Sequence, residues 1–294
     1  MKRIVLLAAA LSAVSATAEA KLRVVTTVQT FKSLAEEVGG DKVEVTALVG
    51  DAVDPHFVDP RPSYAIILNK ADLLVHVGLQ LEIGWLPPLL AQSRNPDIQT
   101  GQPGNLDASS AGMSIQDVGV GMSRTQGDIH PLGNPHYWLP PDDALAVARA
   151  IEGRLERLDA SDAVYFKDRL AQFERTLGEK RKAWETAAAS LRGVKVVTYH
   201  KSWGYLTRWL GLVEIGYVEP KPGIPPDPAH LAELVRDAKE QGAKLVIVES
   251  FYPRNTADRV AALGGMKLLV LPPDGEKYFD LIDGIIAKLT DAVK

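Results

Sequence analysis

The sequence predicts an α/β protein of two parallel-sheet lobes joined by a long rigid backbone helix, with a metal site in the cleft between the lobes. Three observations carry this. Short apolar runs alternate with helix-like patterns in two separate series, the signature of parallel strands linked by crossover helices. A charged, proline-free stretch at helical spacing lies midway between the two series. Histidines stand beside prolines or at the ends of strand-like runs in both series.

The elements follow in chain order. Residues 1–20 read as a secretory signal peptide, with a basic start at Lys2 and Arg3, an apolar stretch over 4–14, and the small-x-small cleavage pattern Ala18-Glu19-Ala20. Cleavage after Ala20 leaves 274 of the 294 residues and moves the net charge from −4 to −5. The expected product is a periplasmic monomer. The chain has no cysteine, so neither a disulfide scaffold nor a lipid anchor is expected. Mild acidity without a dense basic run argues against a nucleic-acid partner.

Residues 21–157 form the first lobe. Its strands are expected at 22–28, 43–49 and 73–77, and its helices at 31–38, ending at Gly39-Gly40, and at 63–70. A further helix starts at Pro140-Pro141-Asp142-Asp143, where proline suits the first turn. Residues 105–124, rich in Gly, Ser and polar residues without a period, read as a functional or disordered loop. Residues 158–191 are the link. Within them, 160–191 places Tyr165, Leu170, Phe173, Leu177 and Trp184 at helical spacing, a helix of about thirty residues and about 45 Å. Residues 192–294 form the second lobe, with strands at 194–199, 212–218, 245–248 and 267–271, and helices at 202–210, 228–241, 256–263 and 278–293.

Ligands of open parallel sheets bind beyond the carboxyl ends of the strands. Four candidate metal ligands fall there. His56 lies in Asp54-Pro55-His56-Phe57-Val58-Asp59-Pro60, His136 in Gly133-Asn134-Pro135-His136-Tyr137-Trp138-Leu139, His200 ends Val196-Val197-Thr198-Tyr199-His200, and Asp274 lies in Leu271-Pro272-Pro273-Asp274. Any one histidine beside a proline is more often a satisfied turn residue than a ligand; two candidates from each lobe gathered in one cleft carry more weight. Without thiolates, nitrogen and oxygen donors favour zinc or manganese. Three neutral imidazoles and one carboxylate leave a divalent ion with net charge +1, a set suited to tetrahedral zinc. Glu249, ending the 245–248 strand, is the rival fourth ligand, as is water. His130 could be a transient ligand or could orient one, Asp59 could orient a ligand or cap the turn at Pro60, His76 reads as buried and hydrogen-bonded, and His230 as a capping or surface residue.

These motifs, with Tyr199-His200-x-x-Trp203-x-Tyr205, Leu79-x-Leu81-Glu82-x-x-Trp85, Val248-Glu249 before Asn255-Thr256-Ala257, and Tyr278-Phe279-Asp280-Leu281-Ile282, resemble those of the zinc/manganese solute-binding proteins of ABC importers. The similarity runs through the mature chain in the same order. It implies two lobes on a backbone helix, an interlobe metal, and delivery to a membrane permease, with His56, His136 and His200 at the first three ligand positions. Manganese importers of this kind often carry Glu at the third position, so His200 implies zinc. The family's usual Leu-Asp-Pro-like turn is shifted here, with Asp274 after two prolines. Zinc-uptake relatives often carry a His-rich acidic loop before the second histidine. Residues 105–124 instead contain no His and only Asp107 and Asp117 as acids, which suggests a flap over the cleft or a docking surface for a periplasmic metal donor. The rival readings are a three-His zinc hydrolase, which lacks a His-Glu-x-x-His or Gly-x-Ser-x-Gly motif to support it, a binding protein for an organic metal chelate, and a surface adhesin.

Overall fold

Residues 20–117 and 127–294 are described by a computed structural model. The expected signal peptide, save Ala20, and positions 118–124 of the polar loop lie outside the described residues. The first sheet is built from β1 (Leu22–Thr26), β2 (Val43–Ala47), β3 (Leu73–His76) and β4 (Asn105–Asp107), in the order β2-β1-β3-β4. The second comprises β5 (Lys195–Thr198), β6 (Val213–Tyr217), β7 (Leu245–Glu249) and β8 (Lys267–Leu271), in the order β6-β5-β7-β8. Every pairing is parallel. The two sheets therefore share one topology.

Around them lie α1 (Gln29–Gly39), α2 (Pro62–Asn69), α3 (Leu86–Ser93), α4 (Pro141–Leu158), α5 (Ala163–Ala187), α6 (Gly204–Leu210), α7 (Pro228–Gln241), α8 (Arg254–Gly264) and α9 (Tyr278–Ala292). Sequence reading misses α3 because Pro87 and Pro88 interrupt its pattern. They sit in the first turn, where a missing N–H costs nothing. It also misses β4, whose three residues Asn-Leu-Asp are too short and polar to show alternation. The polar loop thus begins as a sheet edge followed by a short 3-10 turn at Ala108–Ser110. The first strand ends at Thr26, two residues early, because Thr27 and Val28 turn into α1. The linking helix is also shorter than expected. Its α-helical part, α5, has 25 residues, about 38 Å at 1.5 Å per residue, and 3-10 turns at Ala160–Asp162 and Ala188–Leu191 complete the stretch.

Strand residues alternate between two cores, as the pleat requires. Val24 and Val75 of the first sheet and Val196, Leu245 and Ile247 of the second face one continuous cluster, which also takes in Phe166, Phe173, Leu177 and Trp184 of α5 and Ile282 and Ile285 of α9. The alternate residues, Val25 and Leu74 in one lobe and Val197, Val246 and Val248 in the other, face separate outer clusters under α2–α3 and α7–α8. The lobes are therefore fused along their inner faces. Polar ties reinforce this: the Trp184 indole and the Lys180 ammonium both bind the Asp283 carboxylate, and Tyr278 OH donates to Leu139 O at 2.9 Å. A shared apolar core resists wide hinge opening, because separation would expose it to water. No helix among the described residues is long and apolar enough to cross a membrane.

Candidate metal centre

Loops leaving the carboxyl ends of both sheets meet at the site. His56 follows β2. The Asp54 carboxylate accepts from the His56 backbone N–H at 3.0 Å and from its Nδ1 at 2.7 Å, and the Trp85 indole donates to Pro55 O at 2.9 Å, which pins the turn to the first lobe's outer core. His136 precedes α4. Asn134 Oδ1 accepts from its backbone N–H at 3.0 Å, and Asn134 Nδ2 donates across the cleft to Lys201 O at 2.9 Å. The next two side chains, Tyr137 and Trp138, are buried and bond to Val77 O and, in the other lobe, to Pro273 O. His200 follows β5, and its Nδ1 donates to Glu219 Oε2 at 2.7 Å.

The three imidazoles are buried and converge. Ring centroids are 5.0 Å apart for His56 and His136 and 5.4 Å for each of the other two pairs. One ring nitrogen from each lies within 4.8 Å of those of the other two. Carboxylates only accept hydrogen bonds, so Asp54 and Glu219 place the proton on Nδ1 of His56 and His200 and leave the Nε2 lone pairs for the cleft. Nε2 of His56 and of His136 is buried without a hydrogen-bond partner. Orphaned buried polar atoms are costly, and two of them pointing at a third imidazole fit a divalent cation of the zinc or manganese type.

Electrostatics sort the three rings. Burial holds His136 well below the ordinary imidazole range, and the neighbouring His56, His200 and His130 push it the same way. Burial pulls His200 down too, but the hydrogen bond and charge of Glu219, with Glu249 and Asp54, outweigh it and leave the ring raised. Burial raises Asp54, yet its contacts with His56 leave it lowered, hence charged.

The structure brings His56, His136 and His200 together. Asp274 lies nearby but outside that set. Its Oδ2 accepts from Gln29 N at 2.8 Å, and its Oδ1 from Thr30 N at 2.7 Å and Thr30 Oγ1 at 2.6 Å. It thereby caps α1, whose own N-cap residue, Val28, has no capping side chain. Asp274 and His136 also line a common cavity of about 10 Å³. Glu249 is fully buried. Burial pushes its carboxyl up to about 7, opposed by the charge of His200, the Ser202 hydroxyl and its own backbone N–H. Asp59 is exposed, and the carboxylate bonded to the His56 ring is Asp54. His76 is half-buried and bonded to Asn105 Oδ1 at 3.2 Å. His230 bonds to Tyr217 O at 3.0 Å through its ring, while Asp227 caps α7.

Sequence reasoning misses Glu219 and the part played by Asp54. The first ends up beside His200 because it leaves β6, the strand next to β5. The second had a visible signal, a carboxylate two residues before His56 in a proline turn.

Buried imidazoles from both lobes of a two-lobed α/β scaffold define a solute-binding protein for a metal ion. A family model described as "Zinc-uptake complex component A periplasmic" matches residues 24–292, and the chain belongs to that family, whose members are metal-binding components of uptake systems rather than enzymes. Its curated relatives include the high-affinity zinc uptake system protein ZnuA of Bacillus subtilis, 25% identical over 85% of this chain and 78% of the relative. The zinc-binding lipoprotein AdcA of Streptococcus pneumoniae is 26% identical over 93% of this chain, which spans 55% of that longer protein. A crystal structure of ZnuA superposes with a TM-score of 0.79 at 25% identity, over 93% of this chain and all of that one. FpvC of Pseudomonas aeruginosa, solved with Mn2+, shares the fold with a TM-score of 0.77 at 22% identity over 93% of this chain and 98% of that one.

Proposed function

We propose that this protein captures zinc in the periplasm and delivers it to the membrane permease of an ABC importer, with His56, His136 and His200 binding through Nε2. The convergence of three buried imidazoles, two with orphaned Nε2 atoms, carries the reading. An all-nitrogen triad favours zinc over manganese, which prefers oxygen donors. The site favours a bare ion over an organic chelate, because the cavity beside His136 and His200 holds only about 30 Å³, too little for a multi-ring or multidentate organic ligand. A permease is the expected partner, and a periplasmic metal donor a further one.

Asp274 is the residue we assign to the fourth position. Its Oδ2 accepts only one of the three bonds to α1, so a lone pair is left for the ion without uncapping the helix. The test is elemental analysis of the purified protein after exposure to equal zinc and manganese, native beside His200→Ala. About one zinc per chain, lost or much weakened in the variant, is expected for a site whose ligands come from both lobes. Preferred manganese would overturn the choice of ion, and no stoichiometric metal in the native protein would overturn the reading.

A further inference from the structure

A second group of ligand-type side chains lies against the first. His56, Asp128 and His130 place one donor atom each within 4.8 Å of the others, and all three residues are buried. His56 Nε2 is 3.5 Å from Asp128 Oδ2, and the His56 and His130 rings are 5.2 Å apart. The His130 ring is aimed as the other rings are. Its Nδ1 meets Leu79 O at 3.2 Å, and a carbonyl can only accept, so the lone pair of the neutral ring sits on Nε2.

The segment bearing these residues is built into the cleft. Asp128 N–H donates to Pro222 O of the second lobe at 2.7 Å. Gly127 has φ +135°, and a Cβ there would lie 2.5 Å from the same carbonyl oxygen, so only glycine lets the two backbones meet. One cavity, about 30 Å³, is lined by Asp128 and His130 as well as by His136 and His200. The two donor sets thus share both a wall and a ligand.

We propose that His56, Asp128 and His130 form a second, overlapping site for a divalent metal ion, a handover station between which and the three-histidine site a single ion passes. The proposal rests on the reading of His56, His136 and His200 as metal ligands. Asp54 occupies His56 Nδ1, so both sets use the one Nε2 lone pair, and occupancy of one excludes the other. The station offers two nitrogens and a carboxylate, a set that receives a hydrated ion through its hard oxygen. The inner triad offers three nitrogens, which hold zinc once its waters are gone. An ion moving between them exchanges two ligands at a time while His56 stays bound, so it is never released wholly into solvent inside the cleft.

The experiment uses the full chain and Co2+, whose visible spectrum reports ligand type and number. His136→Ala with His200→Ala removes the inner triad and spares the station. This double variant is expected to retain about one Co2+, more weakly than native, with a spectrum distinct from that of the native site. Adding Asp128→Asn and His130→Ala is expected to abolish that binding. Folding is checked by circular dichroism. Should the double variant not fold, stopped-flow transfer of zinc to a chelator is read on the single variant His130→Ala, whose loading and release are expected to slow about tenfold or more. Loss of all Co2+ from a folded double variant, equal binding by the quadruple variant, or native exchange rates in His130→Ala would each overturn the proposal. Those results with normal zinc binding by the native protein sink the station alone; a native protein that takes no metal sinks the three-histidine reading with it.

Discussion

The two lobes use the same sheet, with strand order edge, centre, centre, edge, yet they contribute different chemistry at equivalent ends. Beyond edge strand β2 stands His56; beyond its counterpart β6 stands Glu219, which holds the His200 ring through Nδ1 at 2.7 Å. The central strand β5 leads to His200. Its counterpart β1 leads into α1, whose first N–H groups are capped from the opposite lobe by Asp274. The glutamates after β3 and at the end of β7 differ most. Glu82 is buried and satisfied, accepting from Thr27 Oγ1 and Val77 N at 2.7 Å each and from Gly78 N at 3.2 Å. Glu249 is buried beside His200, and neither oxygen makes a well-formed hydrogen bond like those of Glu82. The first lobe's carboxylate holds its loop together, while the second lobe's lies against the His200 ring, with burial opposed by His200, the Ser202 hydroxyl and its own backbone N–H. One topology thus yields different side-chain environments at equivalent strand ends, and the two lobes meet as complements and not as copies.

That contrast can be broken in graded steps. Removing an imidazole from either lobe should have the largest effect. His56→Ala and His200→Ala should each weaken zinc binding by several orders of magnitude in a competition titration, although they lie in different lobes. A deficit confined to one of them would mean that a single lobe binds the ion.

Replacing an orienting carboxylate should cost less. Asp54→Asn and Glu219→Gln should each weaken zinc by about 10- to 100-fold. Glu219→Gln should also move the pH profile, and the sign follows from His200. Its pKa in the metal-free protein is raised mainly by Glu219, and protons compete with zinc below that pKa. The variant should therefore hold its remaining affinity to lower pH than native. His136, already lowered by burial, should contribute little to proton competition near neutrality. A profile that does not move would mean that Glu219 does not set the His200 proton.

Asp274→Ala should act on both fold and ion. Loss of the cross-lobe cap should destabilise the metal-free protein by about 1 kcal/mol, and loss of the fourth ligand should reduce zinc affinity in the same variant. Destabilisation without any change in affinity would leave Asp274 a cap alone. The smallest effect on the metal-free fold is expected for Glu249→Gln, because burial already pushes the native carboxyl up to about 7 and the amide removes a charge that is costly to bury. Its melting point should stay level or rise slightly while zinc binding weakens. The corresponding change in the first lobe, Glu82→Gln, should lower the melting point, since the amide oxygen can keep the bonds from Thr27 and Val77 but its NH2 is set against the Gly78 N–H.

Much of this was legible in the sequence. The alternation of Val24 with Val25 and of Val196 with Val197 shows strands buried on both faces, and the histidines stand out because proline turns place them just past strand ends. What was not legible depends on tertiary placement. Glu219 is nineteen residues from His200, and only the pairing of β5 with β6 brings them together. Asp274 reads as a ligand from its turn, while its bonds to Gln29 and Thr30 span more than 240 residues. The Asp-x-His spacing at Asp54–His56 recurs at Asp128–His130. The two pairs look alike in sequence, but the first is bonded within itself, whereas Asp128 faces His56.

X-ray absorption at the zinc K-edge of the loaded native protein tests the central claim most directly, because it counts imidazoles around the ion. The account predicts a four-coordinate shell with three imidazole nitrogens and one oxygen, falling to two imidazoles in either His56→Ala or His200→Ala. A native shell of oxygens with one imidazole or none would contradict it.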